Sequence, residues 1–375
     1  MRQPAHGGNL AWAAALAGYS PDAILDFSAS ISPLGPPNSA IAAILSQIGN
    51  LKHYPDPNYS ELRLALSHFH QLPPEWILPG NGSAELLTLI GRELAQLAAT
   101  ILITPAFGDY YRTLKAYDAK VLECPLISSE QRVLNAELPV LLSTQHWLNA
   151  LLPLTAVVQR PTAANSTLCG LLLNNPHNPT GKLFSRESIL PYLEQFALVV
   201  VDEAFMDFVP PNEEQSLIPM VQEYPNLVIL RSLTKFYSLP GLRLGYAIAH
   251  PDCLAKWQLW RDPWPVNTLA AAAAIAALQD TEFQQQTWAW LPPARNQLFQ
   301  GLAEIPGLQP QASAANFLLV ESQQSTLQLQ QKLLKHHQIL IRDCLSFQEL
   351  GDRFFRVAVR EESDNQRLLT ALSNE

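Results

Sequence analysis

Five short apolar runs constrain this chain more than any other feature. Residues 100–104 (TILIT), 170–173 (GLLL), 198–201 (LVVV), 226–230 (NLVIL) and 244–249 (LGYAIA) are aliphatic and lack polar alternation. Runs of this kind read as strands covered on both faces, as in a parallel sheet sandwiched between helices. Helical patterns lie between them, for example at 83–98 and 185–196. The expected fold class is therefore α/β, with a mostly parallel central sheet. In such sheets functional residues gather just past the strand ends.

From about Trp264 the pattern changes. A helix is expected at 282–303, strands at 316–320, 340–342 and 354–359, and a closing helix at 362–372. This implies a large domain over 45–265. A smaller α+β domain would combine 1–44, as a substrate-binding arm, with 266–375. The chain's 375 residues suffice for that division. The stretch 127–165 shows no clear period and reads as an insertion, with a helix at 147–152. The apolar run 269–278 is about half of what a bilayer requires, so a buried helix is expected there.

Nearly half of the residues are hydrophobic and 15% are charged, which indicates a globular protein with a large core. The net charge of −9 argues against nucleic acid as a partner, although local arginines can still bind a small anion. Cys124, Cys169, Cys253 and Cys344 are scattered without metal-ligand spacing. They point to a reducing compartment and to no metal. Residues 1–20 lack the apolar core of a signal peptide, so a cytoplasmic protein with no membrane association is expected.

The chemistry-bearing motifs follow the strands. After the fourth apolar run comes Ser232-Leu233-Thr234-Lys235, with Arg243 eight positions beyond the lysine. A lysine amine forms a Schiff base with an aldehyde cofactor, and a hydroxyl with an arginine suits its phosphate. In isolation this is only a basic loop. Gly80-Asn81-Gly82-Ser83-Ala84 runs into a helix whose first amides can hold a phosphate, but an ordinary capped turn reads the same way.

Asn174-Asn175-Pro176-His177-Asn178-Pro179-Thr180-Gly181 can aim the Asn178 amide at a ligand oxygen. Asp202, ending a buried run, needs a partner, which is either structural, in a salt bridge or a helix cap, or a protonated ring nitrogen. Tyr110 could stack on a planar ring or simply belong to the core. Arg342 and Arg356 can clamp carboxylate or phosphate, or form surface ion pairs.

Together these segments resemble the fold-type I pyridoxal-phosphate enzymes, in the class I/II aminotransferase branch that includes histidinol-phosphate aminotransferases. The SLTKFYSLPGLRLGY loop, the NPHNPTG turn and the DEA strand end carry that likeness. His6-Gly7-Gly8-Asn9, Asp26-Phe27-Ser28-Ala29, Tyr54-Pro55-Asp56-Pro57 and Ile341-Arg342-Asp343-Cys344 narrow it. They are most similar to the threonine-phosphate decarboxylases of cobalamin biosynthesis.

The resemblance implies pyridoxal 5'-phosphate as cofactor, with Lys235 as its Schiff-base lysine and Asp202 on the ring nitrogen. It places Asn178 on the ring oxygen and Tyr110 on the ring face. Gly82, Ser83, Ala84, Ser232 and Arg243 would hold the cofactor phosphate. Tyr54 would reach that phosphate from a second copy, in a homodimer. His6, Gly7, Ser30, Asn178, Arg342 and Arg356 would bind a small phosphorylated amino acid.

Two positions depart from the wider pattern. Phe205 stands where aminotransferases carry a tyrosine, which favours decarboxylation. Ser30 replaces the substrate-binding asparagine of the decarboxylases. Decarboxylation of L-threonine O-3-phosphate is thus the activity implied. A histidinol-phosphate type of aminotransferase and a non-catalytic cofactor-binding protein are the alternatives.

Overall fold

The computed structural model describes residues 6–126 and 169–375. The helix expected at 147–152, and the 127–165 stretch around it, lie outside the described residues. A short β1 (Leu25–Asp26) precedes the strands of the main sheet. These are β2 (Ile77–Asn81), β3 (Thr100–Thr104), β4 (Val121–Pro125), β5 (Gly170–Asn174), β6 (Leu198–Asp202), β7 (Leu227–Ser232) and β8 (Leu244–Ile248). Among the described residues they form one seven-stranded sheet in the order β2-β8-β7-β6-β5-β3-β4. Only β8 runs against its neighbours, pairing antiparallel with both β2 and β7. The mostly parallel sheet expected from the apolar runs is present.

The absence of polar alternation has a direct cause. Every residue of β3, β5 and β7 is buried. Ile101, Leu171, Val199 and Ile229 enter one apolar core, while Leu102, Leu172, Val200 and Val228 enter the other. Successive side chains alternate between the faces, and both faces are covered. Helices Gly82–Leu94, Gly108–Ala116 and Pro251–Gln258 supply Leu86, Ile90, Tyr110, Leu114 and Trp257 to the second core.

Beyond the sheet, residues 268–279 form the buried helix expected there (Thr268–Gln279). Asn267 caps it by accepting from the Ala270 amide at 2.8 Å. Ala270, Ala273, Ala274 and Ala277 are fully buried, and their small methyls let helix Asn38–Gln47 approach closely. The C-terminal part adds β9 (Leu308–Pro310), β10 (Phe317–Ser322), β11 (Ile339–Leu340), β12 (Arg342–Asp343) and β13 (Phe354–Ala358). An antiparallel sheet orders them β12-β13-β10-β9, while β11 pairs in parallel with β1. The N-terminal segment is thereby tied to the C-terminal elements. Among the described residues, no helix is long and apolar enough to cross a membrane.

Candidate active site

The C-terminal ends of β2, β3, β5, β6 and β7 lie along one edge of the sheet, because β8 is the only reversed strand. A cavity of about 340 Å³ opens there, within the size range of small-molecule sites. His6, Gly7, Ser30, Ser83, Ala84, Tyr110, Asn178, Asp202, Ser232, Lys235, Arg243, Arg342 and Arg356 all line it. Segments up to 350 positions apart in sequence therefore converge on one space. Gly82 acts through its backbone instead, at the start of helix Gly82–Leu94. Tyr54 does not line the cavity of its own chain. It is 78% exposed and stacks on Trp264.

At the floor, Asp202 ends β6 and is buried. Its Oδ2 accepts from the Tyr110 hydroxyl at 2.8 Å and its Oδ1 from the Ala204 amide at 3.0 Å. Burial raises its carboxyl above the usual range, and these two donors and the Lys235 charge oppose that shift. Lys235 follows β7, and its carbonyl accepts from the Ser32 amide at 3.0 Å. Burial first, then the Arg356 and Arg243 charges, lowers its amine to about 8. A usable fraction is thus neutral near physiological pH.

One wall is built for an anion. Ser83 and Ala84 open a 13-residue helix that has no side-chain cap, so its first amides face the cavity. The Ser232 and Thr234 hydroxyls, 2.7 Å apart, stand beside them. Gly82 has φ +73°, and a Cβ there would come within 2.6 Å of Arg243 Nη2. The arginine therefore lies against bare backbone, and the whole donor set is cationic or N–H and O–H. A phosphate monoester fits it, while the aspartate at the floor fits a protonated pyridine and the lysine an aldehyde. Pyridoxal 5'-phosphate satisfies all three.

The opposite wall comes from the small sheet. Arg342 and Arg356, fourteen positions apart, are direct partners across β12 and β13. Two cations placed face to face repel each other, and Asp343 Oδ2, 3.4 Å from Arg342 Nη1, offsets part of that repulsion. Arg342 Nη2 donates to Ser346 Oγ at 2.7 Å, and Arg356 Nη1 donates to Asn178 Oδ1. Burial, assisted by the Arg342 charge, brings the Arg356 guanidinium down to about 10. Its Nε is buried without a partner, as is the Ser30 hydroxyl. Both belong to residues that line the cavity, and both are enclosed by protein with hydrogen-bonding capacity unused.

The NPHNPTG turn is folded by its own residues. Both of its X-Pro bonds are cis. Asn175 exchanges hydrogen bonds with the Phe184 backbone, at 2.9 Å each way, and the Gly181 amide donates to the His177 carbonyl. Asn178 is left facing the cavity.

The N-terminal arm closes the site. A Cβ at Gly7 would stand 2.1 Å from the Ser28 carbonyl oxygen, so only glycine permits this approach. The Gly8 amide donates to Ser28 Oγ at 2.8 Å, and that hydroxyl donates to Asp26 at 2.6 Å. Asn9 then caps helix Leu10–Ala17. Each residue of the His-Gly-Gly-Asn segment from His6 to Asn9 thus has its own mechanical reason or cavity position.

Sequence reasoning missed Phe107, Asp109, Asn174, Ser346 and Phe347, which also line the cavity. Phe107 and Asp109 flank the helix start that carries Tyr110, and this position was the available signal. Ser346 and Phe347 follow Arg342 on an irregular loop that gives none.

The sheet, the strand-end lysine and aspartate, and the anion cradle define a fold-type I pyridoxal-phosphate enzyme. The chain belongs to the aminotransferase class I and II family, whose model matches residues 22–372. It is 38% identical to threonine-phosphate decarboxylase of Salmonella typhimurium, over 99% of this chain and 96% of that one. It is 30% identical to the adenosylcobalamin biosynthesis bifunctional protein CobDQ of Leptospira interrogans, over 100% of this chain and 41% of that one. Among solved structures, the histidinol-phosphate aminotransferase of Clostridium acetobutylicum superposes with a TM-score of 0.80 at 28% identity, covering 94% of this chain and 98% of the other.

Proposed function

We propose that the protein removes carbon dioxide from L-threonine O-3-phosphate to give (R)-1-aminopropan-2-yl phosphate, in cobalamin biosynthesis. The observation that carries this reading is the Arg342–Arg356 pair. It lies in the same cavity as the phosphate cradle but on the opposite wall. With the cradle reserved for the cofactor, the opposite wall offers two arginines, of which Arg342 also pairs with Asp343 at 3.4 Å, to a substrate that carries two anions. Threonine phosphate has a carboxylate and a phosphate, whereas histidinol phosphate has only a phosphate. The 38% identity to a threonine-phosphate decarboxylase supports the same choice.

When bound, pyridoxal phosphate supplies an electron sink for the carbanion left by breaking a Cα bond. The protein decides which bond. Arg342 and Arg356 hold carboxylate and phosphate between them, so they set which Cα substituent stands perpendicular to the ring. Asn178 is tied to Arg356 and would link the ring oxygen to the substrate clamp. Phe205 meets Phe317 edge-on at 5.0 Å and brings no hydroxyl to the cavity. Asp202 would hold the proton of the ring nitrogen, and Lys235 Nζ, with its amine at about 8, would deliver a proton to Cα after carbon dioxide has left. His6 and Gly7 wall the cavity against water.

We assign the large cofactor-binding domain to 45–265 and the small domain to 1–44 with 266–375. A cytoplasmic homodimer is the form proposed, with the exposed Tyr54 reaching the cofactor phosphate of the second copy. Incubation with threonine phosphate and no keto acid tests the function. Stoichiometric carbon dioxide and aminopropanol phosphate are expected. Turnover that requires a keto acid and releases no carbon dioxide would instead make the protein an aminotransferase.

A further inference from the structure

Asp202 must stay ionised in a site that burial pushes toward protonation. A carboxyl that keeps its own proton cannot receive one from a ring nitrogen. The groups able to keep it charged are few and identifiable. The Ala204 amide holds Oδ1, the Tyr110 hydroxyl holds Oδ2, and the Lys235 charge assists them while the Asp109 charge opposes them. Tyr110 is 1% exposed and Asp202 6%, so water competes weakly for either partner. A carboxylate oxygen accepts about two hydrogen bonds. One site per oxygen is therefore taken by the protein and one is left over.

We propose that Tyr110 is the positioning residue of Asp202. Its hydroxyl fixes the carboxylate in orientation and in charge, so that the remaining acceptor site on the floor meets the protonated ring nitrogen. This role is separate from stacking, because the ring and the hydroxyl of one side chain do different work. Three observations support it. Helix Gly108–Ala116 carries Tyr110 in its first turn, and Phe107 braces the ring edge-on at 5.7 Å. The hydroxyl remains a donor, since burial and the Asp202 charge raise its own pKa well above that of an ordinary tyrosine. The bond also opposes the upward pull of burial on Asp202.

The inference rests on the cofactor assignment and not on the choice between decarboxylation and transamination. It is accordingly tested with pyridoxal phosphate alone. Tyr110→Phe keeps the ring and removes one O–H. The apo-protein is titrated with pyridoxal phosphate, following both affinity and the pH dependence of the bound cofactor's absorbance. The variant is expected to bind about tenfold more weakly, the usual loss for a hydrogen bond to a charged group, and to show a displaced absorbance profile. The bond is buried in the apo-protein too, so the variant's apo-form should melt somewhat lower, and binding is compared at a temperature where both proteins are fully folded.

The decisive arm repeats the substitution in an Asp202→Asn background, where the hydroxyl effect should vanish. Wild-type affinity and profile in Tyr110→Phe, or full additivity of the two changes, would overturn the proposal. A wild-type chain that takes up no pyridoxal phosphate would remove the cofactor assignment and this proposal with it.

Discussion

Asp202 and Glu203 are adjacent carboxylates at the end of one strand, and the protein treats them in opposite ways. Asp202 points into the cavity with one protein donor on each oxygen. Glu203 points to the other face and is enclosed by protein partners. It meets Arg231 Nε at 3.0 Å, Ser216 Oγ at 2.6 Å and the Leu217 amide at 2.9 Å. Arg231 is 2% exposed and also holds Asp207 at 2.5 Å and Glu214 at 2.6 Å. Because Arg231 precedes Ser232 and Glu203 follows Asp202, this rear cluster fastens together the two strands whose front carries the cofactor groups. An acid left open to the cavity is a site, and an acid enclosed by a cation and protein donors is a fastening.

Removing the rear cation should cost most. Arg231→Met strands the buried Glu203 and takes the partner from the partly exposed Asp207 and Glu214, and a loss of about 3–5 kcal/mol in unfolding free energy is expected. Denaturant melts of the apo-protein would measure it. A small change there would mean that the two acids do not differ in the way described.

The next effect belongs to the front. Asp202→Asn should leave the apo-protein's melt within about 0.5 kcal/mol of wild type. It should nevertheless weaken pyridoxal phosphate binding roughly ten- to hundredfold, as for loss of a charged hydrogen bond. A stability loss as large as that of Arg231→Met would erase the distinction.

The smallest effect sharpens it. Burial lifts the Glu203 carboxyl to about 7, against the pull of Arg231. A folded-state pKa above the unfolded one means that the native state binds more protons, so this group's contribution falls as pH rises from about 4.5 to about 7. Glu203→Gln should flatten that part of the stability–pH curve, and Asp202→Asn should leave the Glu203 contribution in place.

Much of the sheet was legible in sequence because β3, β5, β6, β7 and β8 are buried on both faces and cannot carry a polar period. The outer strands were not. β2 contains Pro79 and Gly80 and reads as the lead-in to a turn, and β4 contains Glu123 and ends in Pro125. Both lie at the rims of the sheet, where proline is tolerated.

In the site, local motifs identified Lys235, Asp202 and the glycine turn. The facing of Arg342 and Arg356 depends on the register of β12 against β13, which no spacing discloses. The rear cluster was missed for the same reason. Glu203, Asp207, Glu214 and Arg231 are unremarkable acids and a base until β6 and β7 pair and the 206–218 loop folds across them.

The contact of Gly7 with Ser28 bears on how this protein should be handled. The backbone passing over Ser28 is a wall of the reaction chamber, held by the fit of a residue without a side chain. Any side chain introduced at Gly7 would push that wall off Ser28, so mutagenesis elsewhere in the arm should leave position 7 as glycine.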